Sequence, residues 1–254
     1  MLMLDQRLPL GALIGREGDQ LSEVLATDGA VWFHANADSV VWQADRITGW
    51  RSRDGACLAE ATVPNQGGTR FAAQSEALRL TKGNHCGFAL RHATACADHF
   101  TAAVIYATPG EDARSLLAVN TGAANNLIFL SDSAGEVTAK DRSGGVTATL
   151  PAQRLGARPR LAMISLSPQG VFLRAGGKTT MAQGRVLAMD APADLFIGCR
   201  SDRSGLAKTL GGADIHDVIF WPNRAVLAQQ GPSDAAILEA LDRYLRWSFA
   251  EPSA

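Results

Sequence analysis

Residues 193–249 carry the strongest secondary-structure signals in the chain: ADLFIGCRSDRSGLAKTLGGADIHDVIFWPNRAVLAQQGPSDAAILEALDRYLRWSF. Two apolar segments, Leu195–Cys199 and Ala213–Trp221, each end at a turn signal, which is typical of buried strands. We predict a helix after Pro232, because Ser233 is a good N-cap and Asp234 suits the positive end of the helix dipole. Its apolar residues follow helical spacing and must cover another part of the fold: Ile237, Leu238, Leu241, Tyr244, Leu245 and Trp247.

The order of these elements resembles the C-terminal end of concanavalin A-like, or laminin G-like, jelly-roll domains. In that superfamily a strand of the pattern G-x-I-x-x-V-x-x-(Y/W)-x-R-x-L precedes a helix that ends in a Tyr-Leu pair. The matching residues of this chain are Gly212, Ile215, Val218, Trp221, Arg224 and Leu227. The resemblance implies an antiparallel β-sandwich. It implies no activity, because one fold serves many functions.

The preceding segments agree with this interpretation. In RPRLAMISLSPQGVFLRAGGK, residues 158–178, the apolar runs Leu161–Leu166 and Val171–Leu173 flank the turn Ser167–Gly170, which predicts a hairpin. The segment also resembles the hairpin of the superfamily. We count about a dozen short strands and one late helix, which favours an all-β, antiparallel jelly-roll β-sandwich with one C-terminal α-helix.

The beginning of the chain lies outside the resemblance. Residues 30–250 are predicted to form the jelly-roll domain, and residues 1–29 have two interpretations. They form either a strand and turn packed on the sandwich, with a brief helix at Asp19–Leu25, or an arm that attaches the domain to a larger assembly. The sequence leaves both open.

Composition excludes several classes of function. Twenty-four basic and 25 acidic residues give a net charge of −1, which provides no electrostatic footprint for nucleic acid or an anionic membrane. No apolar run approaches the length of a membrane span. Asp5 and Arg7 interrupt the apolar N-terminus, so we expect synthesis in the cytoplasm without a signal peptide.

Metal and redox motifs are missing from the sequence. The spacings of Cys57, Cys86, Cys96 and Cys199 match no zinc or redox pattern, so we expect free, mostly buried thiols. We therefore predict no cofactor. Calcium stays an open alternative, because no loop spells out a cage although three carboxylates could contribute to one: Asp38, Asp132 and Asp202.

Catalytic motifs are also missing. A glucanase of this superfamily would present two or three carboxylates at alternate positions of one strand, because retaining hydrolysis needs an acid and a nucleophile about 5 Å apart. The glutamates of this chain are isolated from one another. We therefore expect a protein that is not an enzyme.

Recognition of a sugar is the remaining prediction. Sugar sites combine an aromatic face with Asp, Asn and Arg side chains that bond the hydroxyl groups, and loops at one end of a sandwich can bring these together. The alternative is that the Trp residues belong to the core and the charges lie in solvated turns. Three groups qualify as sugar-binding candidates: Trp42, Trp50, Arg51, Arg53 and Asp54; Arg200, Asp202 and Arg203; and Asn120, Asn125 and Asn126.

Three functional hypotheses follow from the sequence. The first is a non-catalytic, lectin-like module that recognises a cell-surface or capsular polysaccharide, as a spike or fibre component of a phage or phage-like gene transfer particle, with oligomerisation through the arm. The second is a structural or protein-interaction module without a glycan site. The third is a polysaccharide-cleaving enzyme that uses unrecognised residues.

Overall fold

The computed structural model describes residues 16–65, 67–108, 110, 112–142, 145–153, 156–184, 189, 191–203 and 209–249, with side chains from residue 20 onward. This part of the chain contains seventeen strands and two α-helices. The helices are α1 (Arg16–Ala26) and α2 (Pro232–Ser248). The strands of the first half are β1 (Val31–His34), β2 (Val40–Gln43), β3 (Arg46–Arg51), β4 (Leu58–Ala61), β5 (Arg70–Ala72), β6 (Ala77–Leu80), β7 (Phe88–Thr94), β8 (Phe100–Ala107) and β9 (Arg114–Asn120). Those of the second half are β10 (Leu127–Ser133), β11 (Glu136–Asp141), β12 (Thr147–Pro151), β13 (Arg160–Ser167), β14 (Gly170–Ala175), β15 (Lys178–Ala182), β16 (Ala193–Ile197) and β17 (Ala213–Trp221).

The strands form two antiparallel sheets. One sheet has nine strands in the order β12-β11-β10-β9-β16-β7-β4-β3-β2. The other has eight strands, in the order β15-β14-β13-β8-β17-β6-β5, with β1 paired to β17. Consecutive strands often lie in different sheets, so many connections cross from one layer to the other. The arrangement fits a jelly-roll, concanavalin A-like β-sandwich, and the predicted fold class is confirmed.

The main core lies between the two sheets. Alternate residues of each strand point inward, as the period of two in a strand requires. The largest inward side chains include Phe33, Trp50, Phe88, Phe100 and Phe220, each fully buried. Burying one such aromatic side chain stabilises the fold by about 2–3 kcal/mol, so this core is the main source of stability.

A second apolar layer lies on the outer face of the eight-stranded sheet. There Ile237, Leu241 and Tyr244 of α2 pack onto outward residues of the sheet, such as Ile219 and Trp221. This explains why all nine residues of β17 are buried, since one face contacts the core and the other contacts the helices. The predicted apolar stripe of α2 therefore covers a sheet.

Two details of the predicted helix were wrong. The N-cap is Gly231 with Pro232 as the first helical residue, and Asp234, not Ser233, accepts a hydrogen bond from the backbone of Gln230 at 2.9 Å. Proline suits the first helical position because its missing N–H has no partner there anyway. Trp247, assigned to the buried stripe, is 55% exposed.

The segment before the first strand contains α1. Leu21 and Leu25 of this helix are buried in the same outer layer as Tyr244 and Ile237 of α2. The sequence offered a brief helix at Asp19–Leu25 as one interpretation, and the helix that forms spans Arg16–Ala26. Residues 1–15 lie outside the described residues, so the attachment role of the arm stays a prediction, as does the domain boundary near residue 30.

The predicted hairpin is confirmed in register. Ser167 of β13 pairs with Gly170 of β14, so Pro168 and Gln169 form the turn. In the next turn Gly176 and Gly177 have φ of 57° and 74°, a left-handed conformation that glycine adopts without strain. These turns fix the register of three strands at the edge of the eight-stranded sheet.

Candidate functional site

An open cleft lies where two connections cross between the sheets. The β4–β5 connection runs from the nine-stranded to the eight-stranded sheet, and the β6–β7 connection returns. Between them is a volume of about 620 Å³. The described residues that line it are Pro64, Gly67, Gly68, Arg70, Thr81, Gly83, Asn84 and His85.

One wall of the cleft is held by its own side chains. Asn65 Nδ2 donates to the carbonyl of Gly87 at 2.9 Å, and Asn65 Oδ1 accepts from the N–H of Gly67 at 3.1 Å. Thr69 Oγ1 donates to the carbonyl of Cys86 at 2.8 Å. These bonds tie the β4–β5 connection to the beginning of β7. The wall is therefore ordered before any ligand arrives, which lowers the entropic cost of binding.

The other wall contributes amide and imidazole groups. Asn84 and His85 lie on the β6–β7 connection, and Arg70 begins β5. The two walls meet closely, since a Cβ at Gly68 would lie 3.4 Å from Cβ of Asn84. Arg70 and Asn84 are exposed and His85 is half-buried. Together they offer planar donors and acceptors to a polar ligand.

Trp42 lies on the edge strand β2 and is not among the described residues that line the cleft. It pairs across the strands with Ile47, whereas Arg46, whose side-chain carbons lie against Gly67 in the cleft wall, points to the opposite face of β3. The Trp42 ring is 48% exposed. Trp42 is therefore the one member of the first sequence group that exposes an aromatic surface.

The rest of the first group lies at the other end of β3. Trp50 is 0% exposed and its Nε1 donates to the carbonyl of His34, so its ring belongs to the core and cannot stack on a sugar. Arg53 covers the ring of Trp32, with its guanidinium carbon 4.4 Å from the ring centroid. Arg51 is exposed at the end of the strand. The structure thus separates these residues from Trp42.

Asp54 caps a turn. It accepts hydrogen bonds from Ser52 Oγ at 2.5 Å and from the N–H of Ala56 at 3.0 Å. These hydrogen bonds lower the pKa of Asp54, and the bond from Ser52 has the largest effect. The carboxylate therefore holds its own loop, which is the turn chemistry that short polar residues favour.

The second group is divided between two contacts on the outer face of the nine-stranded sheet. Asp202 accepts two hydrogen bonds of 2.7 Å from Arg91, which also donates to Asp194 at 2.9 Å. The hydrogen bonds from Arg91 lower the pKa of Asp202, with a further contribution from the N–H of Val63. Asp202 therefore connects the loop after β16 to the β4–β5 connection beside the cleft.

Arg200 occupies a separate place on this face. Its guanidinium carbon lies 3.6 Å from the centroid of the Phe129 ring, and its Nε donates to Ser115 Oγ at 2.8 Å. Its carbonyl accepts a 2.9 Å hydrogen bond from Asn120 Nδ2. Arg203 is exposed beyond Asp202. The second and third sequence groups thus meet at Asn120 and Arg200.

The remaining asparagines belong to the β9–β10 turn. Asn125 is exposed with φ of 60°, a left-handed conformation that asparagine tolerates. The backbone of Asn126 closes the turn, donating to the carbonyl of Ala123 at 3.1 Å and accepting from Thr121 at 3.2 Å. Turn geometry accounts for both residues.

Two buried charge networks lie elsewhere in the sandwich. Asp217 accepts from Trp32, His34 and Tyr244 beneath α2, and Asp132 accepts from Tyr106 and Arg160 between the sheets. Desolvation raises the pKa of Tyr106 and Tyr244, so both phenols stay protonated. These networks connect strands and are not part of the cleft.

The described residues contain no group of three or more His, Cys, Asp or Glu side chains arranged to hold a metal ion. Of the three carboxylates considered for calcium, Asp132 is paired with Arg160 and Asp202 with Arg91. All four cysteines are free thiols, with Cys86 and Cys199 buried. Among the described helices, none has both the length and the apolar character needed to cross a membrane.

Comparison with known proteins gives likeness of fold alone. No family model and no curated protein matches the chain. The Trypanosoma rangeli sialidase in complex with 2,3-difluorosialic acid is 13% identical, with a TM-score of 0.55 over 85% of this chain and 33% of that one. A second structure of the same sialidase is 10% identical, with a TM-score of 0.54 over 93% of this chain and 39% of that one.

A third similar structure is the binding domain of botulinum neurotoxin serotype D, which is 10% identical with a TM-score of 0.52. The match covers 88% of this chain and 53% of the toxin chain. This chain spans about a third of the length of the sialidase chains and about half of the toxin domain. The three structures share the β-sandwich with this protein.

The sequence does not predict the cleft. None of its described lining residues, Arg70, Asn84 and His85 included, is among the sugar-binding candidates of the sequence. One signal was available, because two glycine-rich polar segments, residues 64–69 and 81–87, flank the short strands β5 and β6. Loops that flank a short hairpin return to the same end of a sandwich, where binding residues concentrate.

Proposed function

We propose that this chain is a non-catalytic carbohydrate-binding module that holds a cell-surface or capsular polysaccharide in the cleft between the β4–β5 and β6–β7 connections. The observation that carries the proposal is the cleft itself. It is an open volume of about 620 Å³ lined by polar side chains and glycine backbone. Such a volume has room for two or three sugar rings and suits a chain that enters and leaves.

The groups in the cleft have the chemistry that sugars require. Vicinal hydroxyls are bound by planar groups that donate and accept in one plane, which Asn84, His85 and Arg70 supply. The apolar face of a pyranose packs on an aromatic ring, and the half-exposed ring of Trp42 on the edge strand β2 is the candidate for that contact. The bonds made by Asn65 and Thr69 join one wall of the cleft to the backbone of the residues before β7.

The absence of catalysis is part of the proposal. The described lining residues include neither aspartate nor glutamate, whereas glycoside hydrolysis uses a pair of carboxyl groups. Asp194 and Asp202 lie together on Arg91, but hydrogen bonds from Arg91 lower the pKa of Asp202, which opposes the raised pKa of a general acid. These observations favour binding without bond cleavage.

The shared fold gives further support. A sandwich of this kind occurs in a sialidase solved with a sialic acid derivative and in the binding domain of a neurotoxin. Both are large proteins in which a similar unit forms part of the chain. We extend the proposal to host attachment as a spike or fibre component of a phage-like particle, in which residues 1–15 contact a structural partner.

The test is a glycan-array and capsular-polysaccharide screen of the full-length protein, with mass analysis of any bound polysaccharide. The proposal predicts binding without shorter products. Shorter products would contradict it in favour of an enzyme. A negative screen of a folded protein would favour the structural or protein-interaction module. That alternative predicts that a chain without residues 1–15 no longer binds its partner protein. That truncation keeps α1, whose Leu21 is buried under α2.

A further inference from the structure

The outer face of the nine-stranded sheet carries a row of paired residues that crosses four strands. Lys140 pairs with Phe129, Phe129 with Ala118, and Ala118 with Phe196. Paired residues in a sheet point to the same side, so these side chains share the outer face. The apolar members Phe129, Ala118 and Phe196 are buried there, at 7%, 1% and 3% exposure, and the loop after β16 places Arg200 over Phe129.

Arg200 is held in one position over Phe129. The central carbon of its guanidinium lies over the Phe129 ring, 3.6 Å from the ring centroid. Ser115 Oγ accepts from Nε at 2.8 Å, and Asn120 fixes the Arg200 backbone. The described residues supply no hydrogen-bond partner for its Nη1 or Nη2. Two donor nitrogens of a charged group, with four N–H groups between them, are therefore available to a ligand.

A second cation lies close to the first. Arg142 follows β11, and its N–H donates to the carbonyl of Leu127 at 2.9 Å, which places it beside the strand that carries Phe129. Burial, and then the charge of Arg142, lower the pKa of Arg200 to about 10, which still leaves it protonated at neutral pH. Neither arginine has a carboxylate partner within the part of the chain that the structure describes.

This arrangement differs from the neighbouring ion pairs. Arg91, on the same face, is neutralised by Asp194 and Asp202. Arg79, Arg174 and Arg224 also have carboxylate partners. Two adjacent guanidiniums that repel each other cost free energy, and an anion between them would relieve this cost.

We propose that Arg200 and Arg142, over the ring of Phe129, form a binding site for an anionic group, and that the natural ligand is a saccharide bearing a carboxylate or a sulfate. The guanidinium fork suits either group, because its parallel N–H bonds match two oxygens of a carboxylate or sulfate. The ligand would contact the guanidinium groups and not the apolar layer, because Ala118 and Phe196 are only 1% and 3% exposed. The choice of a saccharide rests on the proposed function.

The site is separate from the cleft and does not depend on it. The cleft is lined from the β4–β5 and β6–β7 connections, whereas this site is built on β9, β10 and the residues that follow β11 and β16. An acidic polysaccharide that occupied both would bind more tightly than a neutral one. The two proposals can therefore fail independently of each other.

The experiment is calorimetric titration of the full-length protein at low salt with dextran sulfate, polygalacturonate, neutral dextran and inorganic sulfate. Arg142→Gln is the main variant, because this side chain is exposed and its loss leaves the fold intact. Arg200→Gln is the second variant. Arg246→Gln is the matched control, since it removes one exposed arginine from α2, on the opposite side of the sandwich.

We expect Arg142→Gln to weaken binding of dextran sulfate or polygalacturonate about tenfold, the effect of losing one charge-assisted hydrogen bond. Arg246→Gln should bind the acidic polymers like the unmodified protein. The heat of titration with neutral dextran should be the same for Arg142→Gln and the unmodified protein. Inorganic sulfate that competes with dextran sulfate for the unmodified protein, but not for Arg142→Gln, would also support the site. It would show that the anion alone is sufficient for binding.

The proposal is overturned if the unmodified protein binds neither acidic polymer, or if Arg142→Gln and Arg246→Gln weaken binding equally. Equal weakening would mean that net charge alone attracts the polymer. If Arg200→Gln unfolds, Arg142→Gln decides the question. Arg142→Gln should not change the affinity for a glycan bound in the cleft. The two measurements therefore test the anion site and the cleft separately.

Discussion

Asp217 accepts a 2.8 Å hydrogen bond from the indole Nε1–H of Trp32, and neither side chain has appreciable contact with solvent. The same carboxylate accepts from His34 at 2.9 Å and from Tyr244 at 3.3 Å. One carboxylate therefore connects β1, β17 and α2. The burial of a charge is tolerated here because three donors replace its water.

We expect Asp217→Asn to lower the free energy of unfolding by about 3 kcal/mol, because an amide loses the charge and directs an N–H at groups that donate. Urea unfolding at neutral pH measures this. Asp242→Asn is the control, since Asp242 pairs with Arg174 at a half-exposed position and should cost less than about 1 kcal/mol. Equal losses in both variants would contradict a structural role for the buried network.

Stability should depend on pH through His216. The ring is buried, with its centroid 4.9 Å from that of Phe249, and burial lowers the pKa of His216 below its ordinary value. The unfolded chain therefore takes up the proton first, so stability falls as the pH drops below about 6.5. In His216→Phe the urea midpoint should change less between pH 7 and pH 5.5 than in the unmodified protein. An equal change of the urea midpoint in His216→Phe and in the unmodified protein would refute this role of His216.

His34 should act in the opposite direction. Burial alone lowers its pKa, but the hydrogen bond and charge of Asp217 outweigh burial and raise the pKa above its ordinary value. The stability that His34 contributes is present below about pH 6.5 and is lost as the pH rises through its folded pKa. His34→Gln should remove this loss between pH 6.5 and 8.5, as urea midpoints will show. If His34→Gln loses as much stability over this pH range as the unmodified protein, His34 does not have this role.

Gly87 should tolerate no side chain. A Cβ at this position would overlap Sγ of Cys199 and lie 2.7 Å from its Cβ, in a buried contact between β7 and the loop after β16. We expect Gly87→Ala to lower the free energy of unfolding by about 2–3 kcal/mol, as overpacking does. Gly231→Ala is the control, because this position has open space and extended backbone with φ of −166°, and the less favourable N-cap alone should cost less than about 1 kcal/mol. If Gly87→Ala leaves the free energy of unfolding unchanged, the loop after β16 can move away from this position without cost.

Asp202 should affect the cleft from outside. Its pair with Arg91 is about one-third exposed, so Asp202→Asn should cost only about 1 kcal/mol in urea unfolding. Because Asp202 also accepts from the N–H of Val63, its loss should loosen the wall of the cleft and weaken glycan binding about twofold to threefold. Glycan affinity that is unchanged in Asp202→Asn would mean that the wall is ordered by Asn65 and Thr69 alone.

Local patterns in the sequence predict most of the fold. The strand β17, the helix α2 and the β13–β14 hairpin follow from apolar periodicity and from turn residues that lie within a few positions of one another. Resemblance to the jelly-roll superfamily then indicated an antiparallel sandwich, but it did not give the pairing of distant strands. The N-cap at Gly231 escaped prediction because Ser233 is preferred by side-chain type, although Pro232 suits the first helical position and so indicates Gly231 as the N-cap.

The site was harder to predict, because its contacts join residues that are far apart in sequence. Arg91 meets Asp202 across 111 positions, and Arg46 meets Gly67 only after the β2–β3 hairpin folds onto the crossover. Aromatic type alone could not separate Trp42 from Trp50. Both belong to the same pair of strands, but Trp50 faces the core and Trp42 lies on the edge strand.

The central claim is tested most directly by the affinity of a screened polysaccharide for three proteins: the unmodified chain, the double variant Arg70→Gln/Asn84→Ala, and Arg246→Gln. Arg70 and Asn84 are exposed lining residues, so their loss should leave the melting temperature unchanged. We predict at least a tenfold loss of affinity in the double variant and none in Arg246→Gln. Equal affinity in all three folded proteins would contradict binding in the cleft.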